Sequence, residues 1–248
     1  MPIPTRAVTL TAILSLHMVA CSSTSPYQGL EPEDLFAMAS MEYDEGEYDN
    51  AIEALERLLA SFGNWPRLPE ARLLLGHARF AKEDYLTART EYGRFLDRYP
   101  SHEGAPAASL GVCRSLAELS PHPQRDQGFT QDAWTACRNV VLDHRGSPEA
   151  AEGAEIANRM RLKLAESEFG RGEFYFRRKL YDSAIVYYEF VVNLYSETEF
   201  APRALLGLYR SNLAIGYEDL AEEAKARLLA EYPDSEAAQE IRTNGNSG

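Results

Sequence analysis

The sequence predicts an all-α fold, a right-handed superhelical solenoid of about five helix pairs. Two features of its 248 residues lead to this fold class. A stripe of mainly apolar residues, typical of the buried face of an α-helix, recurs five times along the chain. Another amphipathic segment and a tight turn precede these stripes, so the repeated unit is helix, turn, helix.

The first element is a signal peptide, predicted over residues 1–20. Arg6 precedes an apolar stretch of 13 residues, 7–19. This stretch is too short to span a membrane, which takes about 20 residues, but it has the length of a signal-peptide core. Cys21 follows directly, after "MVA", as in a bacterial lipobox, and is the candidate lipidation site. An ordinary signal peptide with a cysteine there by chance is the alternative.

Two short segments flank the predicted solenoid of residues 32–240. Residues 21–31 are mainly polar and contain proline and glycine, so we expect a flexible, lipid-linked tether. Residues 241–248 are expected to form a disordered tail.

Within the solenoid, each of the five stripes starts with an alanine. The residues 4, 7, 8 and 11 positions after this alanine lie on the same helical face. The starting residues are Ala51, Ala88, Ala133, Ala184 and Ala221. Their spacings of 37, 45, 51 and 37 residues fit a unit of about 34 residues with insertions. The third copy is the weakest, because a long segment precedes it and its stripe contains Cys137 and His144. An all-α bundle without a true repeat is the alternative.

The first helices of stacked pairs line the concave face of a solenoid, which is its usual binding surface. Helical register places six side chains on or near this face: Phe36, Tyr43, His77, Phe80, Phe169 and Phe176. These are our candidates for partner binding. Packing in the core explains any one of them equally well.

Composition and motifs argue against several classes of function. The formal net charge of −13 disfavours binding to nucleic acid and to anionic lipid. No histidines have the spacing of a metal site, and the sequence has no glycine-rich nucleotide motif and no catalytic constellation. We therefore expect no enzymatic activity, no metal and no cofactor.

Two further cysteines, Cys113 and Cys137, lie on the two predicted helices of the third pair. In an oxidising compartment they could form a disulfide. A register difference of one helical turn would separate them beyond bridging distance, and two thiols packed in the core are the alternative. The sequence leaves this choice open.

The order of these features resembles the BamD family, the outer-membrane lipoproteins of the β-barrel assembly machinery. The resemblance covers essentially all of the chain after the signal peptide. Its most specific parts are Arg125-Asp126, in the long segment of the third pair, and "LAESEFGRGEFYFRRKLYDSA" at residues 164–184. Two segments, "GEYDNAIEAL" and "KLYDSAIVYY", also resemble the tetratricopeptide repeat.

This resemblance implies a scaffold anchored by lipid on Cys21 to the periplasmic face of the outer membrane. It implies binding to a BamA-like barrel insertase, to other lipoproteins of the machinery and to unfolded outer-membrane proteins. The N-terminal repeats, 32–118, would form the client groove, and the C-terminal repeats, 155–240, the insertase dock. Arg125 and Asp126 join the partner-binding candidates on this basis. A different lipid-anchored repeat adaptor, for pilus assembly or for the cell envelope and division, is the alternative.

Overall fold

A computed structural model describes residues 26–245, and this part of the chain contains eleven α-helices and no strand. The first ten helices form five pairs, which confirms the predicted all-α fold. The pairs are α1 Pro32–Asp44 with α2 Tyr48–Ser61, α3 Leu68–Ala81 with α4 Tyr85–Arg98, α5 Ala105–Glu118 with α6 Gly128–Asp143, α7 Pro148–Arg177 with α8 Tyr181–Leu194, and α9 Phe200–Ala214 with α10 Glu218–Glu231. The eleventh helix, α11, spans Glu236–Gly245.

The pairs are arranged in two layers. Each helix packs against the next one along the chain, and each first helix also contacts the first helix of the following pair, with α11 continuing this row after α9. Among the described helices, second helices contact no other second helix. The first helices therefore form one continuous face.

The predicted stripes coincide with the second helices. All five starting alanines have no exposed surface. The residue at offset 11 is the C-cap of its helix in every pair. The predicted stripe therefore ends where the helix ends.

Two tyrosines set the spacing between neighbouring first helices. The ring of Tyr92 on α4 lies between Gly76 of α3 and Gly111 of α5, where an added Cβ would come within 2.6 Å and 2.5 Å of ring atoms. Tyr188 on α8 makes the same contact with Gly172 of α7 and Gly207 of α9. Because only glycine leaves room for the ring, these positions require it.

A disulfide takes the place of this tyrosine in the third pair. Cys113 of α5 and Cys137 of α6 are bonded, with an S–S distance of 2.08 Å, and both are fully buried. Cys137 lies four residues after its starting alanine, as Tyr92 does in the second pair. The choice that the sequence leaves open is therefore settled in favour of the disulfide.

The helix α7 joins the two halves of the molecule. It runs for 30 residues, whereas α8 has 14. Ile156 and Met160 on its first part belong to the core of the third pair, and Ala165 and Phe169 on its second part belong to the core of the last two pairs. The predicted boundary at residue 155 lies inside this helix.

The folded body begins earlier and ends later than the sequence predicts. The predicted tether extends to residue 31, but Tyr27 is 2% exposed and its hydroxyl donates a hydrogen bond of 2.8 Å to Oε1 of Glu42. The predicted tail starts at residue 241, but α11 continues to Gly245 and Ile241 is buried in the last core. Apolar side chains that cover the ends of the core explain both differences. The predicted signal peptide and Cys21 lie outside the described residues.

Candidate partner-binding surfaces

A cleft of about 830 Å³ opens between α7, α9 and the connection that joins α5 to α6. Rings and charged side chains make up most of its lining: Glu166, Phe169, Arg171, Glu173, Phe174, Tyr175, Arg177, Tyr187, Phe200 and Arg203. A second cavity of about 270 Å³ shares Phe169, Glu173 and Arg203 with it and extends to Phe176 and α11. The two candidates Phe169 and Phe176 therefore lie along one cleft.

Arg203 lies over two aromatic rings of this cleft. Its guanidinium carbon is 4.4 Å from the ring centre of Phe169 and 5.3 Å from that of Phe200. The other two arginines of the cleft have carboxylate partners on α7. Arg171 pairs with Glu168 at 3.1 Å, and Arg177 pairs with Glu173 at 3.9 Å. Arg203 forms no ion pair with any carboxylate in residues 26–245, so its N–H groups remain available to a ligand.

Three candidates make the same contact at the turn of their own pair. Tyr43 packs against Tyr48, with ring centres 5.7 Å apart, and Phe80 packs against Tyr85 at 5.2 Å. Phe176 packs against Tyr181, the first residue of α8, with ring centres 5.5 Å apart. Each ring lies five residues before its partner, so the contact connects the end of the first helix to the start of the second. These rings are half-buried and help to close the turn.

Phe36 and His77 are also held by neighbouring side chains. The ring of Phe36 lies 5.4 Å from that of Trp65, and the guanidinium of Arg67 covers it at 4.4 Å. His77 Nδ1 and the Tyr92 hydroxyl oxygen are 2.8 Å apart. Burial, and to a smaller extent the charge of Arg114, lowers the pKa of His77. Neither ring forms a free aromatic surface.

The structure does not bring Arg125 and Asp126 into the cleft. Both are exposed in the connection between α5 and α6, where Oδ1 of Asp126 accepts a hydrogen bond of 3.0 Å from the backbone N–H of Gly128. It is the preceding segment of this connection, residues 122–124, that lines the cleft.

An arginine cluster on the second pair was not among the residues predicted from the sequence. Arg72, Arg94, Arg98 and Asp97 line a cavity of about 530 Å³. Glu91, which is buried, accepts hydrogen bonds from Arg72 at 2.9 Å and from Arg94. Two arginines thus share one buried carboxylate. The spacing of 94 and 98 on one helical face is the signal that could have shown this cluster.

An apolar surface on the fourth and fifth pairs was not predicted from the sequence either. Val186, Phe190 and Leu194 are exposed at intervals of four residues along α8. Near the turn between α9 and α10, Leu213 and Tyr217 are exposed as well. The stripe of α8 could have been found as a second apolar face on a helix whose buried face was already assigned.

Paired helices in two layers, with a cleft of rings and arginines on one face and exposed apolar stripes elsewhere, define a helical-repeat binding protein. Residues 26–245 contain no group of side chains suited to hold a metal ion. The helices of residues 26–245 lack an apolar stretch of the length that a membrane span requires.

Within this class, the chain belongs to the YfiO family, described as outer membrane lipoprotein, whose profile matches residues 29–228. It is 25% identical to the outer membrane protein assembly factor BamD of Caulobacter vibrioides over 235 residues, which cover 92% of this chain and 76% of the relative. It is 23% identical to BamD of Vibrio cholerae, over 88% of this chain and 95% of the relative. The resemblance to the BamD family is thereby confirmed. Among solved structures, the TPR2AB domain–pHsp90 complex of yeast Sti1 is similar with a TM-score of 0.47 and 12% identity, over 82% of this chain and 78% of that one.

Proposed function

We propose that this protein is a lipid-anchored scaffold of the outer-membrane β-barrel assembly machinery. It would bind a BamA-like barrel insertase, other lipoproteins of the machinery and unfolded outer-membrane proteins. The family match over residues 29–228 carries the proposal. Relatives named as outer membrane protein assembly factors, similar over most of the chain, support it. The role is one of binding and not of catalysis.

The insertase dock is assigned to residues 155–240. The exposed stripe of Val186, Phe190 and Leu194 supports this assignment, because a soluble surface rarely keeps a row of large apolar side chains unless a partner covers it. The exposed side chains Leu213 and Tyr217 extend the apolar character to the fifth pair.

The client groove is assigned to residues 32–118. The half-buried rings of Tyr43 and Phe80 at the turns of the first two pairs can contact aromatic residues of a barrel precursor. Arg98, which forms no ion pair among the described residues and lines a cavity with Arg72 and Arg94, suits a carboxylate, such as the C-terminus of a client. A contact made of a few rings and one charged pair is small, so it releases its client readily, as a handover step requires.

The membrane anchor is assigned to a lipid on Cys21. Five residues, 22–26, separate this cysteine from the buried Tyr27. An extended chain of this length reaches about 20 Å at most, so the anchor would hold the first helix pair close to the membrane. Mass spectrometry of the membrane fraction should find an acylated N-terminal Cys21, and a mature chain that starts at Ser22 would contradict the assignment.

Co-purification from detergent-solubilised outer membranes tests the dock. Leu194→Glu places a charge on the apolar stripe and should reduce recovery of a large barrel protein with periplasmic domains at least tenfold. Leu86→Glu is the matched control, because Leu86 is 53% exposed and Leu194 54%. Equal recovery with both variants would move the dock elsewhere. Recovery of pilus or division proteins in place of the barrel protein would overturn the proposed function.

Crosslinking to a peptide from the C-terminus of a barrel protein tests the client groove. Tyr43→Ala combined with Phe80→Ala should weaken crosslinking severalfold. Tyr232→Ala is the control, because Tyr232 is also a half-buried ring but lies in the other half of the molecule and outside the cleft. Circular dichroism checks that helical content is retained in each variant. A loss equal to that in the control would place the client site outside residues 32–118.

A further inference from the structure

We propose that the cleft between α7 and α9 binds an extended peptide segment of a protein partner, one that presents a carboxylate beside an aromatic side chain. This inference rests on the proposed scaffold role and names the chemistry of one contact within it. Three features of the cleft support it: an arginine without an ion pair, a wall of rings, and the local balance of charge.

Arg203 is the group that would hold the carboxylate. Its guanidinium stacks over Phe169 and Phe200, which occupies the flat face of the group and fixes its position. The N–H edge has no carboxylate or other acceptor among the described residues. A guanidinium edge matches a carboxylate with two parallel hydrogen bonds, so a fixed and unpaired arginine is suited to this ligand.

The rings of the cleft would receive the aromatic side chain. Tyr175 stacks on Tyr187 with ring centres 5.3 Å apart and planes at 6°. Phe174 is 42% exposed, and the guanidinium of Arg178 lies 3.6 Å from its ring centre. These three rings line the same cleft as Arg203. A peptide with an aromatic residue next to its carboxylate could therefore make both contacts at once.

The size of the cleft fits a peptide and exceeds what a small anion needs. The lining residues of α7 run from Glu166 to Arg177. Eleven steps along a helix cover about 16 Å, which corresponds to about five residues of an extended chain. A volume of about 830 Å³ is also within the range of ligand-binding clefts.

The cleft is close to electrically neutral, although the chain as a whole carries −13. Arg171, Arg177 and Arg203 balance three carboxylates, which are Glu166 and Glu173 of the lining and Glu168, the partner of Arg171. Glu173 also accepts a hydrogen bond of 2.6 Å from the hydroxyl of Tyr188 on α8, which occupies one of its oxygens. The cleft is therefore less negative than the surrounding surface, and an acidic segment would meet least repulsion there.

Fluorescence anisotropy with the lipidated full chain in detergent tests the proposal. The probe is a labelled five-residue peptide, blocked at both ends, in which phenylalanine follows glutamate. A second peptide has glutamine in place of glutamate. The wild-type protein should bind the acidic peptide at least tenfold more tightly than the amide peptide. Arg203→Gln should bring the two affinities within twofold of each other.

Arg138→Gln is the matched control. Arg138 also stacks on a ring, that of Trp134 at 4.7 Å, and also lacks an ion pair among the described residues, but it lines a different groove between α6 and α7. This variant makes the same change of charge and should keep the preference for the acidic peptide. Thermal unfolding of both variants shows whether either one is misfolded.

Three results of the peptide assay would overturn the inference. They are no preference in the wild-type protein, a preference that survives Arg203→Gln, and a preference lost equally in the Arg138→Gln control. Binding that depends on Arg203 for phosphatidylglycerol vesicles but not for the peptide would assign the cleft to lipid and also overturn it. Failure to recover a barrel protein by co-purification would defeat the proposed function and leave the anisotropy result standing, so the two failures are distinguishable.

Discussion

The second and fourth helix pairs place a tyrosine ring at the same position, between two successive first helices. The hydroxyl groups of the two rings have different partners. Tyr92 contacts the imidazole of His77 at 2.8 Å, and Tyr188 donates to the carboxylate of Glu173 at 2.6 Å. Burial, with a contribution from Glu173, raises the pKa of Tyr188, and burial raises that of Tyr92, so both hydroxyls stay protonated.

This difference separates what the repeat requires from what it permits. The ring and its glycines are fixed by the distance between helices, because a larger residue on either side has no space. The polar partner lies at the edge of the ring and can be an imidazole or a carboxylate. The third pair departs further, because the disulfide of Cys113 and Cys137 connects the same two layers covalently.

The largest effect is expected from removing this disulfide. Cys113→Ala combined with Cys137→Ala should lower the free energy of unfolding by about 3 kcal/mol, since the bond closes a loop between residues 24 apart. Urea unfolding followed by circular dichroism measures the change. An unchanged midpoint would mean that the third pair is held by packing alone.

The residues of the second pair suggest a variant that would introduce the tyrosine contact into the third pair. Cys113→Gly with Cys137→Tyr copies the residues of the second pair, and Gly153 of α7 already lies beside Cys137. This variant should be more stable than the double alanine variant. If it is less stable, the third pair has a helix spacing that the ring does not fit.

The next effect concerns the glycines that face the rings. Gly111→Ala and Gly207→Ala each place a Cβ within 2.6 Å of tyrosine ring atoms, and the ring cannot move because another helix lies behind it. Each should cost about 1–3 kcal/mol of unfolding free energy. Gly93→Ala and Gly170→Ala are the controls, because these helical glycines have open space around them. The controls should gain about 0.5–1 kcal/mol, and a loss of similar size in all four variants would contradict the ring-contact argument.

The sequence predicted the second helices well because their buried stripes follow a strict period and every one contains a fully buried alanine. It did not predict the full length of α7, since residues 148–177 contain no turn signal to show which part packs on which core. The disulfide depends on helical register to within one turn, which periodicity does not provide.

The candidate surfaces were harder to predict than the helices. Register placed Tyr43 and Phe80 on the correct helices, but it could not show that each ring packs on the tyrosine five residues later. The cleft combines two first helices, one residue of α8 and a distant connection. Its key residue, Arg203, has no pattern in the sequence that distinguishes it from other arginines.

A smaller effect is expected at the turns, where the second and fourth pairs differ from the first and fifth. Glu83 and Lys179 have positive φ angles of 65° and 61°, and glycines hold the same place in the other two turns, Gly46 at 83° and Gly216 at 81°. Glu83→Gly and Lys179→Gly should each raise stability by about 1 kcal/mol, because glycine adopts this conformation without strain. Gly46→Ala should lower it by a similar amount. A thermal melt of each variant measures the effect, and a loss in the two glycine variants would contradict it.

The smallest effect concerns pH and sharpens the contrast between the two tyrosine contacts. Burial, aided by Arg114, lowers the pKa of His77 below its ordinary value of 6.5, so the unfolded chain takes up a proton more readily than the folded one. The contribution of His77 to the free energy of unfolding is therefore complete above pH 6.5 and is lost as the pH falls below it.

His77→Gln tests this effect, because it keeps a hydrogen-bonding partner for Tyr92 but does not titrate. The free energy of unfolding should fall less in this variant than in the wild type between pH 7.5 and 5.5. The lowered pKa of Glu152, held down by its hydrogen bond with Arg114, acts at lower pH and does not disturb this window. Parallel curves for the two proteins would show that His77 titrates in the folded chain as it does in the unfolded one.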